Sequence, residues 1–219
     1  MPVVKINDRL VLFIHVPKTG GTTIEHHLAE AGPLSLKSAK PPRGARCNEQ
    51  HFHAELIEGL FAPTAFYYAF MVVRHPLSRL LSEYRWQTRK RRRLRSRLSF
   101  SLWLRYAMAC RRLNPYCYDN HLRPQAEFEI RGAEVFRWED GLENCFARLT
   151  EQLGIAAPEQ LETLKKSTVR PSIVRESDIE LVHQVYRQDF ERYGYGRVPE
   201  VFALEDAVPC PTKRNQFLS

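Results

Sequence analysis

The chain has 219 residues, 43% of them hydrophobic and 26% charged, the profile of a soluble globular protein large enough to bury a sizeable core. No apolar run approaches the roughly 18 residues of a membrane span, and MPVVKINDR at the start lacks a signal-peptide core, so a soluble, cytoplasmic protein without a transmembrane segment is expected. The net charge of +8 is local, because residues 89–97 (RKRRRLRSR) hold seven basic and no acidic residues and leave +1 for everything else. Such a run suits a solvated face, a docking patch for an anionic substrate or a nucleic-acid tether; lacking interleaved aromatics, it is no stacking platform for bases. The five cysteines are odd in number and show no CxxC spacing, which favours reduced thiols, with Cys110 and Cys117 the one local pair to test for a disulfide.

Leu10 to Val16 is an apolar run of strand length, rich in Val, Ile and Phe, as in a strand buried on both faces. Pro17-Lys18-Thr19-Gly20-Gly21-Thr22-Thr23 follows, and then Ile24, Leu28 and Ala31 recur at helical spacing until Gly32-Pro33 ends the pattern. A strand, a glycine turn and a helix start turn backbone N–H groups toward one point at the positive end of a helix dipole, a place for phosphate. Lys18 and the threonine hydroxyls add a cation and donors. The nucleotide triphosphatase loop GxxxxGK[ST] places its lysine after the glycines, beside a Mg²⁺-binding hydroxyl. Here the lysine comes first, which argues for a phosphorylated ligand other than Mg-ATP.

Leu34 to Asn48 reads as a loop. His51 and His53 follow in an H-x-H pair; in an extended segment both imidazoles point to one side, which suits a metal or a base with a helper, although no HExxH pattern or cysteine accompanies them. Phe66 to Val73 is the second strong strand and runs into Arg74-His75-Pro76, with Pro76 in the first turn of a helix whose apolar stripe is Leu77, Leu80, Leu81 and Tyr84. Arg74 then stands at a strand's carboxyl end and Ser82 about two turns into the helix. In an open parallel sheet that end is where ligands bind, so two anion-binding corners face one crevice.

A helix is expected from Phe100, with Leu102, Tyr106 and Ala109 on one face, then a polar loop carrying Asn120, His121 and Gln125. Ala133 to Trp138 is a third strand, followed by a helix through Leu142, Phe146 and Leu149. Another helix is expected over Pro158 to Lys166, and Lys165 to Ser172 is a basic, hydroxyl-rich loop, a third anion contact. Ser177 or Asp178 caps a last long helix with Leu181, Val185 and Phe190 on its apolar face. These elements predict an α/β fold: one P-loop-like, three-layer domain over residues 1–199 with a central, mostly parallel sheet flanked by helices. Residues 200–219 form a C-terminal extension, peripheral or poorly ordered.

PKTGGTT after one strand and R-H-P-x-x-R-x-x-S-x-Y after a second together resemble the two cofactor motifs of the sulfotransferases that use 3′-phosphoadenosine 5′-phosphosulfate (PAPS). NHLRPQ (Asn120 to Gln125) and VFRWEDGLE (Val135 to Glu143) are similar to later segments of the Golgi-type carbohydrate branch, so the resemblance spans most of residues 10–195. HFH resembles the H-x-H segment of heparan sulfate 2-O-sulfotransferase, and its closing His-Ala the base region of the 6-O enzymes. The missing membrane anchor and the short chain fit a bacterial-type soluble relative. The resemblance implies sulfuryl transfer from PAPS to an acceptor hydroxyl on an anionic carbohydrate or glycolipid, without a metal. It assigns Pro17, Lys18, Thr19, Gly20, Gly21, Thr22 and Thr23 to the 5′-phosphosulfate, Lys18 facing the bridging oxygen. Arg74 and Ser82 go to the 3′-phosphate, with Ser167, Thr168 and Arg170 closing over it. His53 is the base, His51 its helper, Glu55 a reserve base; Glu55, Asn120, His121 and Gln125 are substrate contacts. Nucleic acid is not an expected partner on this reading. The alternatives are a P-loop kinase-like phosphotransferase and a non-catalytic nucleic-acid binder acting through residues 89–97.

Overall fold

Asn7 and Asp8 have φ of 48° and 62°, the left-handed pair that a two-residue hairpin of type I′ needs. They join β1 (Val3–Ile6) to β2 (Arg9–Ile14), with Ile6 opposite Arg9. The computed structural model describes residues 1–37, 40–62, 64–90, 98–158, 172–199 and 207–209. Within them β2 leads through the glycine loop into α1 (Gly21–Ala31), and β3 (Leu34–Ser35) returns to the edge of β1. After α2 (Ala54–Leu60) come β4 (Tyr68–Val73), α3 (Pro76–Lys90), α4 (Phe100–Leu113), β5 (Glu134–Arg137) and α5 (Leu142–Leu153). The chain continues with β6 (Ser172–Val174), α6 (Glu176–Val185), α7 (Arg187–Tyr193) and β7 (Ala207–Pro209).

The main sheet has the order β3-β1-β2-β4-β5. Its β2–β4 and β4–β5 pairings are parallel and both β1 pairings antiparallel, so the sheet is mixed and not mostly parallel as expected. The hairpin is the reason: it folds the first residues back as a strand, and β3, inside a stretch read as loop, extends that antiparallel half. Side-chain alternation along the strands makes two cores. Leu12, Ile14, Met71 and Val73 face α3, α4, α6 and α7, whereas Val11, Phe13, Phe70 and Val72 face α1 and α5. The result is three layers, with the parallel strands β2, β4 and β5 ending along one edge.

Three helix readings change. In α4 the buried stripe is Phe100, Trp103, Leu104 and Ala107, while Leu102 and Tyr106 are exposed; the helix has two apolar stripes, and the larger aromatic one takes the core. The long last helix breaks at Tyr186, whose hydroxyl donates to Leu122 O at 2.8 Å, so Val182, Tyr186 and Phe190 are the buried positions. Arg175 is the N-cap of α6, and Asp178 reaches back to accept from the Arg175 N–H at 3.0 Å. Residues 159–171, which include most of the expected 158–166 helix and nearly all of the basic loop, lie outside the described residues. Of the C-terminal extension, residues 207–209 are described, paired in parallel with β6. Cys110 and Cys117 are both free thiols.

Candidate active site

The loop after β2 is held by its own residues. Pro17 and Thr19 are buried, and the Thr19 hydroxyl donates to Val16 O at 2.8 Å, so it shapes the loop and is spent as a phosphate donor. Lys18 and Gly20 are left-handed, with φ of 72° and 87°; for a lysine this is costly backbone, kept where the surroundings over-determine it. No side chain caps α1, so its first N–H groups, with the hydroxyls of exposed Thr22 and half-buried Thr23, remain directed at the loop mouth. Both glycines are steric necessities. A Cβ on Gly20 would come within 3.2 Å of Leu142 and 3.5 Å of Trp138, and one on Gly21 within 2.3 Å of His15 Nε2. The Lys18 ammonium lies 5.3 Å from the centre of the Trp86 ring on α3.

Arg74, directly after β4, makes the second corner. Its guanidinium lies 3.9 Å from the centre of the Trp138 ring, so one indole borders both Gly20 and Arg74. The Gln125 side chain clamps the Arg74 backbone, accepting from its N–H and donating to its carbonyl, each at 2.8 Å. Asp189 accepts in turn from the N–H groups of Gln125 and Ala126, both at 2.9 Å; burial holds this carboxyl above its ordinary range. Gln125 is fully buried. It therefore serves Arg74 and is withdrawn as a substrate contact. Ser82 lies half-buried on α3.

Against the glycine loop, at Gly21, begins a row of imidazoles. His15, His51 and His121 meet edge to face, with centroids 5.3 Å apart for the first pair and 4.8 Å for the second. Each ring is tied at Nδ1 to its own carboxylate: His15 to Glu25, His51 to Asp119 at 2.8 Å, His121 to Glu83 at 2.7 Å. Trp86 tilts against His121 at 5.5 Å, which links the row to Lys18. Burial, with the neighbouring His121 and His15, pushes His51 down to about 4 against the opposing pull of Asp119. Burial raises Asp119 and Glu25, but hydrogen bonds from His51 and Asn48 on the first, and from His15, Lys37 and Gln50 on the second, outweigh it and hold both at about 2. His51 is thus neutral and its partner ionised. An ionised carboxylate only accepts, so the single imidazole proton sits on Nδ1.

Tyr118, Asp119 and Asn120 are three successive left-handed residues, with φ of 55°, 58° and 64°, a run that costs roughly 1–2 kcal/mol per residue. It aims Asp119 at His51, while Asn120, fully buried, donates to His51 O at 2.9 Å and accepts from Arg123 at 3.2 Å. Asn120 is therefore a structural brace and no longer a substrate contact.

His51 and His53 do not share one side of an extended segment. His51 closes a 3₁₀ turn, Glu49–His51, and His53 is the N-cap of α2, so their rings have different surroundings. His53 lies against Tyr116 and 3.4 Å from the Asn120 amide, and its buried Nε2 faces the Glu55 carboxylate at 3.6 Å. Glu55 is 89% exposed. His51, Asp119 and His121 bring ligand atoms within 4.8 Å of one another, types that suit a divalent metal. Asp119 already accepts from the Asn48 N–H and amide, both at 2.6 Å, as well as from His51, which makes the cluster a hydrogen-bonded unit first. Ser167, Thr168 and Arg170 lie outside the described residues.

Sequence reading had missed His15, Glu25, Glu83, Trp86, Asp119, Trp138 and Asp189. A usable signal existed for two of them: Glu25 and Glu83 sit in the buried stripes of α1 and α3, where an acid needs a partner.

A three-layer α/β fold with a strand, glycine loop and uncapped helix at the carboxyl edge of its parallel strands is an arrangement at which α/β proteins bind phosphorylated ligands. The chain belongs to the Sulfotransferase family, whose family model matches residues 4–196. Neither a curated protein nor a solved structure matches the chain. Membership establishes an enzyme that transfers sulfate to an acceptor. Among the described residues no helix is long and apolar enough to cross a membrane.

Proposed function

We propose that this chain transfers a sulfuryl group from PAPS to a hydroxyl of a carbohydrate or glycolipid, as a bacterial-type, cytoplasmic relative of the Golgi carbohydrate enzymes with a P-loop-like domain over residues 1–199. The observation that carries the reading is the junction of a glycine cradle, an arginine corner and a neutral, carboxylate-held imidazole at one sheet edge. The cradle fits a phosphosulfate: Gly20 and Gly21 let the loop pack closely against Leu142, Trp138 and His15, α1 is uncapped, and Lys18 belongs to the same loop. Bound there, PAPS supplies an activated sulfuryl group. The N–H groups of Gly20, Gly21 and Thr22, with the Thr22 and Thr23 hydroxyls, hold the 5′-phosphate, and Lys18 offsets the charge that grows on the bridging oxygen as the S–O bond breaks. Arg74 and Ser82 hold the 3′-phosphate, and the scheme uses no metal ion.

For the base, we favour His51 over His53, because Asp119 holds His51 Nδ1 and leaves Nε2 to accept, whereas His53 Nε2 faces the Glu55 carboxylate at 3.6 Å. His51 Nε2 takes the acceptor's proton, worth about 10²–10⁴-fold in rate for a well-placed base. His121, beside it, is the substrate contact retained. Thermal shift tests the donor: 3′-phosphoadenosine 5′-phosphate (PAP) is expected to stabilise the chain, by about 2.7 kcal/mol at a hundredfold excess over Kd. Stabilisation by ATP–Mg alone would instead support the kinase reading. Transfer from labelled PAPS across an acceptor panel tests the reaction, with Lys18→Ala and His51→Ala each expected to lose it.

A further inference from the structure

Asp119 stands at a point where the fold accepts unfavourable backbone to hold one carboxylate. Three successive left-handed residues present it, and its oxygens take every donor within reach: Asn48 N–H on Oδ1, and the Asn48 amide and His51 Nδ1–H on Oδ2. We propose that Asp119 is the positioning residue of the site, fixing the His51 proton on Nδ1 so that Nε2 stays the proton acceptor. The catalytic consequence rests on the reading of His51 as the base; the tautomer itself does not.

The surroundings give Asp119→Asn a defined outcome. The asparagine oxygen keeps the Asn48 N–H, and its amide nitrogen takes the place of Oδ2. Asn48 Oδ1 is buried without a hydrogen-bond partner. A turn of the Asn48 amide therefore gives one of the new N–H donors an acceptor, and the other points at His51 Nδ1. A nitrogen that accepts carries no proton, so the imidazole proton moves to Nε2 and the accepting lone pair leaves the substrate side. The variant is nearly isosteric and leaves only the turned Asn48 amide N–H₂ without its former acceptor, yet has the wrong tautomer. A purely structural role for Asp119 predicts no such change.

The experiment is ¹⁵N histidine NMR on the full chain at pH 7, with the His51 signals assigned through His51→Gln. It is run beside PAP thermal shift and labelled-PAPS turnover. Nδ1–H in the wild type, Nε2–H in Asp119→Asn, and turnover down about 10²–10⁴-fold with an unchanged PAP shift support the proposal. A wild-type His51 protonated on Nε2 overturns it, and that measurement stands even if the variant fails to fold. Nδ1–H retained in Asp119→Asn also overturns it, whatever happens to turnover. A tautomer switch with undiminished turnover removes His51 as the base, and with it the catalytic half of the proposal.

Discussion

Gly21→Ala adds one methyl group where the phosphate loop meets the first imidazole of the row. That carbon would stand 2.3, 2.5 and 2.6 Å from His15 Nε2, Cε1 and Cδ2, where ordinary contact begins at 3.4 Å. His15 cannot yield: Glu25 holds its Nδ1, Gln50 and Lys37 hold Glu25, and the ring stacks on Phe13 with centroids 5.4 Å apart. The start of α1 must therefore move by about an ångström, an overpacking that costs about 1–3 kcal/mol. Alanine's better helix propensity returns up to about 1 kcal/mol of it. The balance, about 0–3 kcal/mol, lowers Tm by up to roughly 12 °C in a domain of this size. The displaced N–H also loses a charge-assisted hydrogen bond to phosphate, worth about 1.5–3 kcal/mol or roughly 10–150-fold in PAP affinity. The control is Gly59→Ala in α2, where an added carbon meets nothing within 4 Å and a gain of about 0.5–1 kcal/mol is expected. Differential scanning fluorimetry with and without PAP reads both variants. A Gly21→Ala protein that melts with the wild type and binds PAP as tightly would refute the steric argument.

Acid should destabilise the chain early. His51 and His75 are each pushed down to about 4, chiefly by burial, whereas the unfolded imidazoles titrate near 6.5. Below pH 6.5 the unfolded state therefore binds more protons, and each histidine removes about 3 kcal/mol by pH 4. Glu25 and Asp119, held at about 2, contribute stability that is present above the unfolded carboxylate range and is lost on further acidification towards pH 2. Urea unfolding at pH 7.5, 6 and 5 should show a steady fall; a flat profile would contradict it. Gln125→Leu strips both hydrogen bonds from the Arg74 backbone and should cost about 2–4 kcal/mol. It should also raise the KM for PAPS but not for the acceptor, and wild-type melting with an unchanged donor KM would show that the clamp does not position Arg74.

The strands and the loop were legible because their signals are local. Leu10 to Val16, broken only by His15, and Phe66 to Val73 are apolar runs, and the observed β2 and β4 fall within one residue of them or inside them. Lys18, Gly20 and Arg74 could be placed because a strand end followed by a helix start fixes where such residues stand. The hairpin that makes the sheet mixed depends on two adjacent left-handed residues, Asn7 and Asp8, a turn signal passed over in the opening nine residues. The stripe chosen in α4 failed because Leu102 and Tyr106 match helical spacing as well as Phe100 and Trp103 do. Only packing against α3 and the sheet decides between them.

The amino-acid sequence alone determined the family of this protein and where its glycine loop and Arg74 stand, since each is set by a short contiguous segment between a strand end and a helix start. The tertiary structure decided which histidine is served. His15, His51 and His121 come from a strand end, a 3₁₀ turn and a left-handed loop, and their carboxylates from α1, that same loop and α3. Residues far apart in the chain leave no spacing to read. The edge-to-face row, the neutral His51 and the Asp119 that fixes its proton exist only once burial and packing bring them together.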